Sequence, residues 1–147
     1  MTGAFRDIKA QMNTPAVRQV LALCQFDPSP AGIDKKLAAC SGDDYRFYGW
    51  VEDGEVLGIC CFVNHGSHVE ILTIAVDEHA QRRGVGGAMV SALTRQYGLP
   101  LLAETDDGAV DFYRKRGFAA SVEEEKTKLY GIRRWRCEKG AKKVKGA

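Results

Sequence analysis

Gln81-Arg82-Arg83-Gly84-Val85-Gly86-Gly87 is the stretch of this chain whose residue types and spacing could hold an anion. It follows an apolar, strand-like run, Ile71 to Val76, and opens an amphipathic pattern. A chain that passes from strand to helix through glycines leaves the first helical N–H groups without intrahelical acceptors, at the positive end of the helix dipole. Glycine lets an anion approach that backbone closely. Arg82 and Arg83 add guanidinium donors, whose fork suits phosphate oxygens better than an ammonium does. Spacing then narrows the ligand. No Gly-Lys-Ser/Thr tripeptide occurs, which argues against a Walker loop. A dinucleotide fingerprint needs Gly or Ala three residues after its second glycine, and that position, counted from Gly86, is Met89.

What remains is Gln-x-x-Gly-x-Gly, from Gln81 through Gly84 to Gly86, and this resembles the acetyl-coenzyme A signature of the GNAT superfamily of N-acetyltransferases. A second segment, Ala109-Val110-Asp111-Phe112-Tyr113-Arg114-Lys115-Arg116-Gly117-Phe118, is similar to the Ala-x-x-Phe-Tyr-x-x-x-Gly-Phe run that follows the coenzyme strand in the same family. The residues read the same way from below. Asp106 or Asp107 suits a helix start, Arg114, Lys115 and Arg116 suit the negative end, Gly117 suits the left-handed C′ position, and Phe118 folds back as its apolar partner. The resemblance covers roughly residues 68 to 120. It implies an α/β GNAT fold, a mixed central sheet flanked by helices, with acetyl-CoA as cosubstrate and no metal. It further implies that Gln81, Arg82, Arg83, Gly84, Val85, Gly86 and Gly87 hold the coenzyme, and that backbone groups of Ile74 and Val76 bond the pantetheine arm like an added strand. Asp106 departs from the pattern, since the family often carries asparagine there and an ionised aspartate cannot donate the same hydrogen bond.

An amine acceptor resembling lysine, with a pKa near about 10.4, must lose a proton before it attacks a thioester. Glu70 opens the coenzyme strand and looks like the glutamate that some GNAT enzymes use as base; its other reading is an exposed strand-end carboxylate, with water chains taking the proton. The leaving thiol needs an acid. Tyr113 matches the family tyrosine near the sulfur, and a phenol of pKa about 10 can donate to a thiolate of pKa about 8.5; otherwise Tyr113 is the buried mate of Phe112. The expected function is an N-acetyltransferase that moves an acetyl group from acetyl-CoA to an amine-bearing small molecule or peptide by direct attack in a ternary complex. The alternative is a noncatalytic coenzyme A binding or sensing module, which would keep the glycine turn without needing Glu70 or Tyr113.

Length and composition bound the rest. A chain of 147 residues suits one domain, expected over residues 1–138, with a basic, disordered tail at 139–147. The formal charge of +2 gives no global argument for nucleic acid or membrane, and neither is expected as a partner; a homodimer is allowed. There is no apolar signal core, and the longest apolar run, Val56 to Val63, is too short to span a bilayer, so a cytoplasmic protein is expected. Five cysteines, Cys24, Cys40, Cys60, Cys61 and Cys137, form no C-x-x-C pair and read as core fillers in a reducing compartment. Cys61, His65 and His68 lack a fourth ligand of zinc spacing, and Asn64-His65-Gly66-Ser67 reads as a turn. Glu123, Glu124 and Glu125 are either a solvated strand end or an attractor for cationic amines at the acceptor mouth.

The elements that must position these groups follow from periodicity. Ala4 to Ile8 reads as a strand, and Thr14-Pro15 starts a helix to about Gln25. After the proline break at 27–30, a second helix lies near Ile33 to Cys40. Tyr45 to Glu52 and Val56 to Val63 make a hairpin through Asp53-Gly54, with the aromatics of the first strand packing the sheet. Val69 to Val76 is a strand, and Val85, Ala88, Met89, Ala92 and Leu93 share one face of a helix from about Gly84 to Gln96. Leu101 to Glu104, the Phe112-Tyr113 helix, Phe118 to Val122 and Ile132 to Cys137 complete the series.

Overall fold

The computed structural model describes residues 3–24 and 27–140. In chain order its elements are strand β1 (Ala4–Asp7), helices α1 (Pro15–Ala22) and α2 (Pro30–Cys40), and strands β2 (Arg46–Glu52), β3 (Glu55–Asn64) and β4 (Val69–Val76). Helix α3 (Val85–Tyr97), strand β5 (Leu101–Thr105), helix α4 (Val110–Lys115), strand β6 (Ala119–Val122), helix α5 (Glu124–Tyr130) and strand β7 (Trp135–Lys139) follow. The seven strands form one mixed sheet in the order β1-β2-β3-β4-β5-β7-β6. Contacts group the chain into two compact units, Met1–Val63 with Leu72–Leu93, and Asn64–Ile71 with Thr94–Ala147.

In the first unit, proline at the first helical position and a hydroxyl cap start both early helices. Thr14 accepts from the Val17 N–H and Ser29 from the Gly32 N–H, each supplying an acceptor that the helix itself cannot. Ile33, Leu37 and Cys40 recur at helical spacing on the buried face of α2. They join Val17, Val20, Leu21, Phe47, Ile59 and Cys61 in one apolar cluster. Asp53 and Gly54 both take positive φ, 48° and 79°, as a two-residue hairpin turn requires. Cys60 and Cys61 are both fully buried although neighbours on a strand point to opposite faces, so β3 is covered on both sides.

In the second unit, β4 and β5 run parallel, pairing Val69 with Leu101, Glu70 with Leu102 and Ile71 with Ala103. Strand β7 lies antiparallel between β5 and β6. Val69, Ile71, Leu101, Ala103, Val110, Tyr113, Phe118 and Cys137 are buried.

Several boundaries differ from the sequence pattern. Helix α1 ends at Ala22, its last turn tightening into Leu23 N–H to Val20 and Cys24 N–H to Leu21 bonds, and the expected end at Gln25 lies outside the described residues. Helix α2 begins three residues early because Ser29-Pro30 is a complete start signal. The last strand begins at Trp135 rather than Ile132, since a helix intervenes: α5 buries none of its residues and so leaves no hydrophobic period to read. Of the basic tail, residues 141–147 lie outside the described residues. No helix among the described residues is long and apolar enough to cross a membrane.

Gly58 on β3 faces the buried side of α3: a Cβ there would stand 2.8 Å from Met89 Cε and 3.0 Å from Val85 Cγ1. Gly58→Val is therefore expected to lose about 1–3 kcal/mol of stability in denaturant unfolding. Gly58→Ala should lose less, because the methionine methyl can give way.

Candidate active site

Backbone and side-chain bonds together fix the turn after β4. The Asp77 N–H donates to the Leu57 carbonyl at 2.8 Å, and Asp77 Oδ1 accepts from the His79 N–H at 2.9 Å, starting a short 3₁₀ turn at Glu78–Ala80. Gln81 Nε2 donates to the Val76 carbonyl at 3.1 Å, clamping the loop to the end of its own strand. Arg83 Nη2 lies 2.7 Å from Glu52 Oε1. The chain then enters α3 through two left-handed residues, Arg82 at φ 76° and Gly84 at φ 84°. The first bond of the helix, the Ala88 N–H to the Gly84 carbonyl, leaves the N–H groups of Val85, Gly86 and Gly87 without an acceptor among the described residues.

The two arginines divide the work. Glu52 is almost buried, at 9% exposure, and also accepts from Trp50 Nε1 at 3.3 Å. The Arg83 guanidinium holds its carboxyl below the ordinary glutamate value of 4.5, against the opposing effect of burial. Arg83 is thus a strut for the turn. Arg82 has no hydrogen bond or ion pair among the described residues, and it is exposed. A cavity of about 740 Å³ opens beside the turn, with Asp77, His79, Ala80 and Arg83 on one wall and Val56 and Leu57 on another. That volume is within the range of small-molecule sites.

The second unit carries the sequence-predicted acid and base. Tyr113 is buried in α4, its ring edge-on to Phe118 at 5.1 Å and to Phe112 at 5.2 Å. The helix ends in a double closure, with the Gly117 N–H donating to the Arg114 carbonyl and the Phe118 N–H to the Tyr113 carbonyl, while Gly117 takes φ 90°. Phe118 folds back on Tyr113, as the spacing predicts. Neither Asp106 nor Asp107 caps α4. The N-cap is Ala109, with no side-chain bond. Asp106 Oδ1 instead accepts from the Gly108 N–H at 2.9 Å, and its carbonyl accepts from Ala109 and Val110. Asp107 Oδ1 accepts from Trp135 Nε1 at 2.7 Å. An aspartate two residues before a glycine closes its own turn more easily than it reaches the helix start.

Glu70 is not a bare strand-end carboxylate: its Oε1 lies 2.9 Å from His65 Nε2. Glu123, Glu124 and Glu125 also separate. Glu124 and Glu125 lie in the first turn of α5, where the dipole favours them, whereas Glu123 and Glu104 flank the Lys126 ammonium at 4.0 and 2.5 Å. Burial and the neighbouring Glu104 push the Glu123 carboxyl up; at Glu104 burial is outweighed by the bonds from Lys126 and Glu123. Glu52 and Lys126 have no local signal in the sequence, since each pairs across the fold.

Two comparisons with known proteins bear on this geometry. The profile of the Acetyltransferase (GNAT) family matches residues 14–118. Among solved structures, a Desulfovibrio desulfuricans protein assigned to the GNAT acetyltransferases is 25% identical, with a TM-score of 0.71 over 93% of this chain and 98% of that one. A GNAT acetyltransferase from Elizabethkingia anophelis with acetyl-CoA bound is 21% identical, with a TM-score of 0.64 over 93% and 96% of the two chains. The ribosomal-protein-S18-alanine N-acetyltransferase of Escherichia coli is 18% identical, with a TM-score of 0.69 over 92% and 90%. A comparison with curated proteins gives no match.

Two measurements check the turn. At Gly84 a Cβ meets nothing within 4 Å, so the constraint is its φ alone, and Gly84→Ala should cost about 1–2 kcal/mol; Gly87→Ala, in open space within a helix, should gain about 0.5–1 kcal/mol in thermal unfolding. The Glu52–Arg83 pair carries a pH signature. A carboxyl held below its unfolded value contributes stability that is present above that value and lost as pH falls through the folded one. The unfolding temperature of the parent should therefore drop more steeply below about pH 4.5 than that of Glu52→Gln.

Proposed function

Because this chain belongs to the GNAT acetyltransferase family, we propose that it transfers an acetyl group from acetyl-coenzyme A to the nitrogen of an amine by direct attack in a ternary complex. The observation that carries the reading is the turn itself. Three consecutive N–H groups and an Arg82 guanidinium that have no partner among the described residues meet at a helix N-terminus, in a loop braced by Gln81 and Arg83. Such donors suit a pyrophosphate, and their bracing means that little ordering remains to be done on binding. Ile74 and Val76 lie past the last β4–β5 pair, which supports their role toward the pantetheine arm. The Val76 carbonyl accepts from Gln81, which leaves its second lone pair and the other backbone groups of this segment for that role. Asp106 has one carboxylate oxygen in its own turn, which argues for at most an accepting contact with the coenzyme.

The chemistry asks for a group that removes a proton from the acceptor ammonium and one that protonates the departing thiolate. Glu70 and the imidazole bonded to it fit the first role as a pair; Tyr113, held by the closure at Gly117 and packed against Phe118, fits the second. A phenol of pKa about 10 is a weak acid in water but sits close enough to a thiol's about 8.5 for transfer in the transition state. The acceptor is an amine on a small molecule or a peptide.

Two variants test the reading. Gly86→Val should weaken acetyl-CoA binding by calorimetry in protein that circular dichroism shows to be folded, because a side chain in the first turn of α3 would crowd its N–H groups. Tyr113→Phe should keep that binding and lower kcat for coenzyme A release by about 100- to 10,000-fold. Undiminished binding in the first variant would overturn the cradle. Unchanged turnover in the second, from about pH 6 to about pH 9, would remove Tyr113 from the reaction.

A further inference from the structure

The segment between β3 and β4 builds a histidine pair around Glu70. Asn64 Oδ1 accepts from the Gly66 N–H at 2.8 Å and the His65 N–H donates to the His68 carbonyl at 2.9 Å, closing a tight turn with Gly66 at φ 88°. That closure stacks the two imidazoles, with centroids 4.7 Å apart and planes 25° from parallel. Each ring is then tied by one nitrogen: His68 Nδ1 lies 2.9 Å from Ser67 Oγ, and His65 Nε2 lies 2.9 Å from Glu70 Oε1. Side-chain exposures of 40% for His65 and 29% for Glu70 leave the pair accessible. His65 Nδ1 has no hydrogen-bond partner among the described residues.

We infer that His65 is the proton acceptor of the reaction, with Nδ1 as the receiving atom, and that Glu70 is a positioning residue that fixes its tautomer. The inference rests on the acetyl-transfer reading above. A carboxylate accepts a hydrogen bond and cannot donate one, so a neutral His65 bonded to Glu70 carries its proton on Nε2 and presents a lone pair on Nδ1. A carboxylate behind an imidazole also stabilises the imidazolium that forms when the lone pair takes a proton. The stacked His68 holds the ring plane. On the β5 side Glu70 pairs with Leu102, which pairs in turn with Glu138, and Arg136 bonds Glu138 at 3.3 Å.

The step balances as follows. The acceptor R–NH₃⁺ gives one proton to His65 Nδ1, which releases it to solvent. The neutral nitrogen forms the new N–C bond to the thioester carbonyl, and the tetrahedral adduct loses a second proton through water to the Tyr113 phenolate as the phenol protonates the departing sulfur and the C–S bond breaks. The products are the acetamide, coenzyme A thiol and one proton in solution.

The test measures kcat and KM from about pH 6 to about pH 9 with acetyl-CoA and three amines, spermidine, lysine methyl ester and a short peptide with a free N-terminus, in the parent chain, His65→Gln, Glu70→Gln, the double variant and His68→Phe. His65→Gln should lower kcat at neutral pH by about 100-fold or more, leave the KM for acetyl-CoA unchanged, and recover as pH rises toward the amine's own pKa. Glu70→Gln should cost less, the double variant no more than His65→Gln, and His68→Phe, which keeps the stack, little. Nitrogen NMR of histidine-labelled parent should show the neutral His65 protonated on Nε2. An unimpaired His65→Gln variant of an active parent, additive losses in the double variant, or an Nδ1-protonated His65 would overturn the inference alone. A parent that releases no coenzyme A with any amine would overturn the transfer reading and the catalytic half of this inference with it.

Discussion

A helix cannot satisfy its own first N–H groups, and the use made of this chain depends on where those of α3 are left. In most helix starts a side-chain cap or a tight turn takes some of them up. Here the entry runs through Arg82 and Gly84 in the left-handed region, and Val85, Gly86 and Gly87 are left with bare N–H groups among the described residues. A helix-start N–H must find its acceptor outside the helix. Holding it still is the harder task. Gln81 returns to the strand from which the loop departs, and Arg83 reaches Glu52, whose near burial keeps the pair from being only a solvated surface contact. Arg82 adopts a backbone conformation that costs a side-chain-bearing residue about 1–2 kcal/mol, and strain of this kind persists where surrounding structure over-determines it.

The same economy of polar groups governs the second unit. Short elements there are held by side chains that reach outside their own segment. Strands β6 and β7 are joined by α5, and that excursion is closed by the Glu123 N–H on the Arg134 carbonyl and the Arg134 N–H on Thr127 Oγ1. Gly131, at φ 74°, ends α5 as Gly117 ends α4. Lys126 joins the excursion to β5 through Glu104, and Asp107 joins the turn before α4 to Trp135 on β7. With so few apolar residues in α5, these polar ties rather than burial set its position: Leu129 is 76% exposed and Tyr130 61%.

Electrostatics in the molecule is therefore local. A net charge of +2 says nothing about the turn at α3, where one arginine is paired with Glu52 and the other has no ion pair among the described residues. Glu70, Glu104, Glu123 and Glu52 are all glutamates, yet one is bonded to an imidazole, two share an ammonium and one holds a guanidinium. Each partner gives the same side chain a different chemistry.

The sequence by itself determined whatever the chain does within one or two turns of itself. The glycine turn, the Thr14-Pro15 helix start, the Asp53-Gly54 hairpin and the Gly117-Phe118 closure were legible because φ preference, missing donors and side-chain reach act over a few residues. Family resemblance extended that to the sheet and the family, since the two motifs stand in a fixed order. Only the tertiary structure decided the partners. Arg83 finds Glu52 across 31 positions, Trp135 finds Asp107 across 28 and Lys126 finds Glu104 across 22. A charged side chain carries no mark of which opposite charge the fold will bring to it. Helix α5 hid for a related reason, because a helix that buries nothing leaves no period to read, and His65 with Glu70 because five residues of turn can face in many directions until the strands on either side fix them.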